Sequence, residues 1–424
     1  MHEFAVRNGR LYCESVPVDR IADDLGTPVY IYSQKTLVDH FRKLKTAFRS
    51  INPLICFAVK ANGNLAIMKL LVEQGAGLDI VSGGELYKAL RVGCPPERIV
   101  YASVGKRPEE IRESLRAGIF CFNVESAPEL ELIEREARRA KKIARVALRI
   151  NPNVEAHTHR HITTGVAESK FGIAVETARE LILSRRREFR SIQLLGFHLH
   201  IGSQITQPKP FIQAIERVGA LIEELRGHGV EIGWLNLGGG LGIVYKDEQP
   251  QTAEQFAQAI VPLIRRLRVK LILEPGRFIV GNAGILVTRV LYVKPTPAKR
   301  FLVVDAGMTD LIRPALYEAY HEVVPVVTNG HGASSQTTYD VVGPICESAD
   351  VLARDRKLPP VEADDLLAIM GAGAYGFVMA SNYNGRPRPA EVMVKGRRYF
   401  VVRERETMQD LVRRDAIPAA LLKS

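Results

Sequence analysis

Residues 54–90 read LICFAVKANGNLAIMKLLVEQGAGLDIVSGGELYKAL, and this stretch decides the fold. It opens on an apolar run, Leu54-Ile55-Cys56-Phe57-Ala58-Val59, turns a corner at Lys60-Ala61-Asn62-Gly63, and continues into a helical pattern. A second apolar run at 78–81 leads to Ser82, whose spacing to Glu85 fits a capping box at the start of another helix. Runs of Val, Ile, Leu and Phe without alternation suit strands covered on both faces.

The same unit recurs as far as residue 276. Further apolar runs lie at 99–102, 120–124, 146–150, 194–201, 234–237 and 271–273. Ser126 with Glu129 and Thr252 with Gln255 fit capping boxes, and Phe256, Ile260, Leu263, Ile264 and Leu267 form one helical stripe. Eight strands alternating with helices predict an α/β fold, a closed (β/α)8 barrel of TIM type; a doubly wound open sheet is the alternative. After residue 281 the texture changes. The segments 285–293, 301–304, 339–342 and 366–370 read as strands with few helices between them. Segments 392–394 and 399–402 flank a Lys395-Gly396 turn, and 4–6 and 11–13 flank Asn8-Gly9, a hairpin signal. The expected organisation is an N-terminal hairpin (residues 1–30) joining a C-terminal β-rich domain (residues 281–424), with the barrel at residues 31–280. Residues 328–338, rich in Gly, Ser, His and Thr, read as a loop.

The bulk numbers agree with a soluble two-domain protein: 424 residues, 46% hydrophobic and 25% charged. No apolar run is long enough to cross a bilayer, and Met1-His2-Glu3-Phe4 lacks the pattern of a secretory signal. Five cysteines, odd in number, widely spaced and without a C-x-x-C pair, fit a reducing cytoplasm and no zinc knuckle. The net charge is +11. Its basic runs (135–145, 185–190, 265–270) are scattered and carry no interleaved aromatics, so they read as solvated helix faces rather than a nucleic-acid site.

Barrel enzymes place reactive groups where strands end. Those positions hold Lys60, Ser82, Asn151, His200, Ser203, Gly238-Gly239-Gly240 and Glu274-Pro275-Gly276-Arg277. Lys60 beside an apolar wall would lose solvation and expose a nucleophilic amine; the plainer reading is a surface lysine. Three glycines let backbone N–H groups converge on an anion, and the Ser203 hydroxyl could join them, although glycines also serve tight turns. Glu274 could pair with a protonated ring nitrogen, or simply with Arg277. His198 and His200 share a strand face by the period of two, as a metal pair or as a ring stacked on a cofactor. A metal would need further ligands, and only Glu274 and Asp79 are on offer, so no metal is expected. His157, His159 and His161 sit in a polar loop and read as solvated or substrate-facing. Cys346, beside Glu347, has no cation to lower its pKa and reads as a buried structural cysteine.

Taken together, these segments resemble the fold type III pyridoxal-phosphate decarboxylases over nearly the whole chain. The marks are Phe57-Ala58-Val59-Lys60-Ala61-Asn62, Asp79-Ile80-Val81-Ser82-Gly83-Gly84-Glu85-Leu86, Ser169-Lys170-Phe171-Gly172, His200-Ile201-Gly202-Ser203-Gln204 and Glu274-Pro275-Gly276-Arg277. They continue in Asp305-Ala306-Gly307-Met308, Ile312-Arg313-Pro314-Ala315-Leu316-Tyr317, Cys346-Glu347-Ser348 and Gly373-Ala374-Tyr375-Gly376. Within that family the chain is most similar to the branch acting on meso-2,6-diaminopimelate. The resemblance implies decarboxylation of that amino acid to L-lysine and CO2, the last step of lysine biosynthesis.

It further implies that Lys60 carries pyridoxal 5'-phosphate as a Schiff base, with His200 stacked on the ring and Asp79 among the cofactor residues. Ser203, Gly238, Gly239, Gly240, the segment Glu274, Pro275, Gly276 and Arg277, and Tyr375 would hold the phosphate end. Glu274 would keep the ring nitrogen protonated, which favours decarboxylation; racemases of this fold put an arginine there. Cys346 would reprotonate the carbanion, delivered from the partner subunit of a homodimer. Arg277, Arg313, Tyr317, Glu347 and Tyr375 would contact substrate, whose distal carboxylate and ammonium want an arginine fork and a carboxylate acceptor. The competing readings are a carboxynorspermidine or D-amino-acid decarboxylase, a non-catalytic relative of the fold, and a metal-dependent barrel hydrolase. Arg313 and Glu347 weigh against the first, and Lys60, Glu274 and Cys346 against the second. One departure is His161, where the family more often has tyrosine.

Overall fold

The computed structural model describes residues 2–154, 170–328 and 336–418. The histidine tract 157–161, Ser169 and most of the expected loop at 328–338 lie outside the described residues. The chain divides into two units, Leu37–Gly281 and Met1–Thr36 with Asn282–Ser424.

The first unit is built on eight strands: β1 (Leu54–Ala58), β2 (Gly77–Ile80), β3 (Ile99–Tyr101), β4 (Cys121–Val124), β5 (Ala144–Asn151), β6 (Ile192–His198), β7 (Trp234–Asn236) and β8 (Lys270–Leu273). Each runs parallel to the next, and β8 returns to β1 through Ile272↔Leu54 and Leu273↔Ile55. That last pairing closes the barrel and removes the two free edges an open doubly wound sheet would keep. A helix covers each crossover. The helix Ala253–Leu267 buries Phe256, Ile260, Ile264 and Leu267, with Leu263 half-buried. Its Thr252–Gln255 capping box is reciprocal. At Ser82 and Ser126 the serine does accept from the amide three residues on. There, however, the glutamate reaches the residue before the cap, Val81 or Glu125.

Inside the barrel, Cys56, Val100, Cys121, Ala147 and Ile272 pack as a buried cluster with Leu54, Phe120, Leu195 and Trp234. The strand β6 shifts register between Leu194 and Gly196. A Cβ on Gly196 would lie 1.8 Å from the carbonyl oxygen of Trp234, so the bulged strand meets β7 backbone to backbone there. Toward the C-terminal ends the lining turns polar, with Asp79, Asn123, Arg149, His198 and Asn236 all buried.

The second unit is a mostly antiparallel β structure. Its long strand Gly284–Pro295 pairs in turn with Val29–Ser33, Leu366–Ile369 and Arg300–Val304. Val29–Ser33 also runs parallel to Ala390–Lys395. All five residues of Val29–Ser33 are buried. Phe4–Arg7 and Arg10–Cys13 form the expected hairpin, with Asn8 (φ +48) and Gly9 (φ +73) in the left-handed region its turn requires. Phe4, Leu11 and Cys13 join Val29, Ile31, Ile285, Val287 and Val392 in one buried core. In the C-terminal hairpin Lys395 pairs with Arg398, so the turn is Gly396-Arg397, one residue later than the sequence suggested. Gly396 at φ +60 fixes that position.

Candidate active site

Glu274 follows β8 and is buried. Its Oε1 accepts from Asn236 Nδ2 at 2.6 Å and from Asn123 Nδ2 at 3.1 Å, and its Oε2 lies 3.1 Å from His198 Nε2. Burial alone would push the carboxyl pKa up. The facing His198, with Lys60 and the Asn236 hydrogen bond, outweighs it and holds the group at about 2. Glu274 is thus a fixed negative charge, satisfied by donors from three strands; hydrogen bonds to a charged group are each worth about 1.5–3 kcal/mol. The neighbouring carboxyl behaves the other way. Asp79 is fully buried, and burial followed by repulsion from Glu274 pushes it up to about 7, against the pull of Lys60.

Lys60 sits in the one-turn 3-10 helix Val59–Ala61 that ends β1. Its Nζ donates to Asp79 Oδ2 at 2.8 Å, which the register Ala58↔Asp79 makes possible. The side chain is 35% exposed. The apolar wall expected beside this lysine is therefore met by a carboxylate that compensates its charge.

His200 lies just past β6, where its Nδ1 accepts from the Gly239 amide at 3.3 Å. Burial first, then the cations Arg149 and Lys60, push this imidazole well below the usual range, so the ring is neutral. A neutral ring accepting at Nδ1 carries its hydrogen on Nε2. His198, two residues earlier, turns to Glu274 instead.

The turn Gly238–Gly240 admits no side chain. A Cβ on Gly239 would lie 2.4 Å from the carbonyl oxygen of Glu274, and one on Gly240 (φ +99) 2.7 Å from that of Gly202. The Gly238 carbonyl accepts from the Glu274 amide, tying the turn to the end of β8. Gly276 passes the Lys60 turn so closely that a Cβ would stand 2.9 Å from that of Ala61, while the Pro275 carbonyl accepts from the Ala58 amide. Arg277 donates to Ser203 Oγ at 3.0 Å and to the Tyr245 hydroxyl at 2.7 Å. Lys60, Asp79, His200, Ser203, Gly238–Gly240 and residues 274–277 thus gather at one end of one barrel. A glycine cradle with a serine and an arginine suits a phosphate, a buried carboxylate suits a pyridinium nitrogen, and a lysine suits an aldehyde. The donor set fits pyridoxal phosphate.

Asn123, Asn236 and Tyr245 were not singled out from sequence. The two asparagines did leave a signal, as amides interrupting the apolar strands β4 and β7.

The other candidates belong to the β unit. Arg313 is buried at the start of the helix Arg313–Tyr317 and donates to His321 Nε2 at 2.7 Å. His321 Nδ1 in turn faces the Met370 carbonyl at 2.8 Å. Tyr375 takes a left-handed backbone, φ +57. Cys346 corrects an expectation: the other four cysteines are buried, and this one is exposed. It lies on a tight turn with Glu347, whose buried anchor is Asp350, accepting from the amides of Met308 and Ile345. Glu347, Ser348 and Ala349, which follow it on the turn, are exposed as well.

Residues 34–281 match the family model described as the pyridoxal binding domain of pyridoxal-dependent decarboxylases, the class of protein that this barrel and its donor set define. Diaminopimelate decarboxylase of Pseudomonas aeruginosa is 47% identical over 97% of this chain and 98% of its own length. Among solved structures, diaminopimelate decarboxylase from M. jannaschii in complex with L-lysine superposes with a TM-score of 0.93 at 39% identity, covering 99% of this chain and 100% of that one. The enzyme from Helicobacter pylori complexed with L-lysine gives 0.89 at 39% identity, covering 93% and 98%. The chain belongs to the diaminopimelate decarboxylases.

Proposed function

We propose that this chain decarboxylates meso-2,6-diaminopimelate to L-lysine and CO2 with pyridoxal phosphate bound at Lys60. The observation that carries the reading is Glu274, held ionised among three donors at the barrel end that also carries Lys60. Pyridoxal phosphate, when bound, supplies the electron sink for the pair left as CO2 departs. Glu274 keeps the proton on the ring nitrogen that gives this sink its strength. Lys60 offers the amine to the cofactor aldehyde, and Asp79 orients that amine. Ser203, Gly238–Gly240, Gly276 and Arg277 would hold the phosphate, with Tyr375 as a further contact, and His200 would cover one face of the ring. Arg313 takes the distal carboxylate of the substrate, with Arg277, Tyr317, Glu347 and Tyr375 as further contacts. The exposed thiol of Cys346, supplied by the second copy in a homodimer, returns the proton to the substrate carbon. Five unpaired cysteines support a cytoplasmic setting. Incubating the cofactor-loaded protein with meso-diaminopimelate should release CO2 and L-lysine in equal amounts. Racemised substrate without CO2, or a faster reaction with another diamino acid, would overturn the reading.

Two expected results follow from single groups. Arg313→Ala should lower kcat/KM on diaminopimelate by about 2–5 kcal/mol while leaving cofactor affinity nearly unchanged, because it strips the partner from a desolvated carboxylate. An unaltered kcat/KM would remove Arg313 from the substrate site. Gly239→Ala pushes a Cβ against the Glu274 carbonyl, so the turn must shift; pyridoxal-phosphate affinity of the apoprotein should fall about tenfold, ~1.4 kcal/mol. Titration at the cofactor's absorbance reads it, and an unshifted affinity would place the phosphate elsewhere.

A further inference from the structure

The Glu274 carboxylate receives donors from three different strands: Asn123 of β4, His198 of β6 and Asn236 of β7. His198 is the telling member. Its ring is buried, and its second nitrogen, Nδ1, has no hydrogen-bond partner among the described residues. A buried polar atom without a partner is uncommon and needs a reason, and the contact of the ring's other nitrogen with Glu274 supplies one. Nε2 faces Glu274 Oε2 at 3.1 Å, and a hydrogen on that nitrogen donates to the carboxylate. The bulge between Leu194 and Gly196 changes the pairing of β6 just ahead of this residue, and past it His198 lies in register with Asn236. The two asparagines are themselves held. Asn236 Oδ1 accepts from the Gly238 amide at 2.8 Å, joining the carboxylate to the glycine turn. The Asn123 backbone carbonyl accepts at 2.7 Å from Lys106, a buried cation paired with Glu129.

We infer that His198, seconded by Asn123 and Asn236, is a positioning residue that keeps Glu274 charged and aimed at the cofactor's pyridine nitrogen, so that the ring retains its proton. The inference rests on the proposed role of Glu274. A carboxylate accepts at about four lone-pair sites, and the three donors take three of them, leaving the last for a ring N–H. Removing the His198 donor frees the carboxylate to rotate and raises its own proton affinity, so the proton that belongs on the ring is shared with Glu274.

The test loads the holoenzyme with pyridoxal phosphate carrying 15N at the ring nitrogen and records its solid-state 15N shift. His198→Met fills much of the ring's volume without an N–H, and His198→Gln returns an N–H near the former Nε2. In the wild type the shift should be that of a protonated ring. In His198→Met it should move most of the way to the unprotonated value, with kcat down about tenfold or more, the size expected when a hydrogen bond to a charged group is lost. His198→Gln should restore both. Asn123→Leu, which deletes a different donor, should move the shift the same way by less, and it stands in should His198→Met not fold. A ring still protonated in both donor-deleted variants, with the cofactor bound normally, would overturn the positioning role and leave the proposed function intact. A wild type in which borohydride fixes no pyridoxyl group on Lys60 would overturn the proposed function, and this inference with it.

Discussion

Lys60→Ala should abolish turnover, by roughly 10⁴-fold or more, because the variant loses an amine whose effective molarity toward a bound aldehyde no free amine can match. The cofactor-loaded wild type should be yellow, borohydride reduction should bleach that colour, and peptide mapping should find the pyridoxyl group on Lys60; a label on another lysine would sink the assignment. The variant also makes a physical prediction that needs no substrate. Lys60 is the cation that offsets the buried Asp79, whose pKa stands at about 7 against an ordinary 3.8 even with the lysine present. Without it the folded-state pKa moves higher still. A buried carboxyl that titrates above its unfolded value binds more protons in the native state. The fold then loses stability as pH rises from the unfolded pKa to the folded one. Both proteins should therefore lose stability alike up to about pH 7, where the wild-type carboxyl ionises, and Lys60→Ala should fall behind in Tm only above it. A difference in Tm that does not depend on pH would show that Asp79 finds its compensation elsewhere.

How much of this was legible beforehand depended on whether the signal was local. The eight barrel strands stand within two or three residues of the apolar runs, because a strand buried on both faces is mostly apolar. Closure of the sheet was legible only through the count, since no residue by itself says that β8 returns to β1. Val29–Ser33 escaped notice although it is central in the β unit. Val-Tyr-Ile-Tyr-Ser is as buried as any barrel strand, but it precedes the helix Gln34–Ala47, so it reads like an extra βα step. The candidate site divides in the same way. Lys60, the glycine turn and residues 274–277 are contiguous motifs at strand ends and could be read directly. The surroundings of Glu274 could not, because Asn123, His198 and Asn236 come from three strands and meet only once the barrel closes. The exposure of Cys346 was misread for a related reason: thiols are usually interior, and only the turn anchored by Asp350 shows that this one points outward.

Mixing Lys60→Ala subunits with Cys346→Ala subunits, each nearly inactive alone, should restore roughly a quarter of wild-type activity if active sites are shared across a two-fold axis. The arithmetic distinguishes the two arrangements cleanly. With random re-pairing after reversible dissociation, half of the dimers are mixed. In a shared arrangement each site takes Lys60 from one copy and Cys346 from the other, so a mixed dimer has one site with both lesions and one with neither. Half the dimers with half their sites intact give a quarter. If both residues serve the site of their own chain, every site in a mixed dimer carries a lesion and activity stays at the mutant baseline. Cofactor bound covalently to Lys60 remains in half of the mixed subunits under either arrangement, so cofactor content provides a control that subunits survived the exchange. Light scattering would fix the dimer, and a differently tagged pair would count the mixed species. Baseline activity with mixing so demonstrated would refute delivery of Cys346 from the partner copy. An exposed thiol on a turn of its own unit has the accessibility such delivery needs, and Cys346→Ser, which keeps a hydroxyl but not the more acidic thiol, should be no more active than Cys346→Ala as a homodimer and should recover the same quarter when mixed with Lys60→Ala.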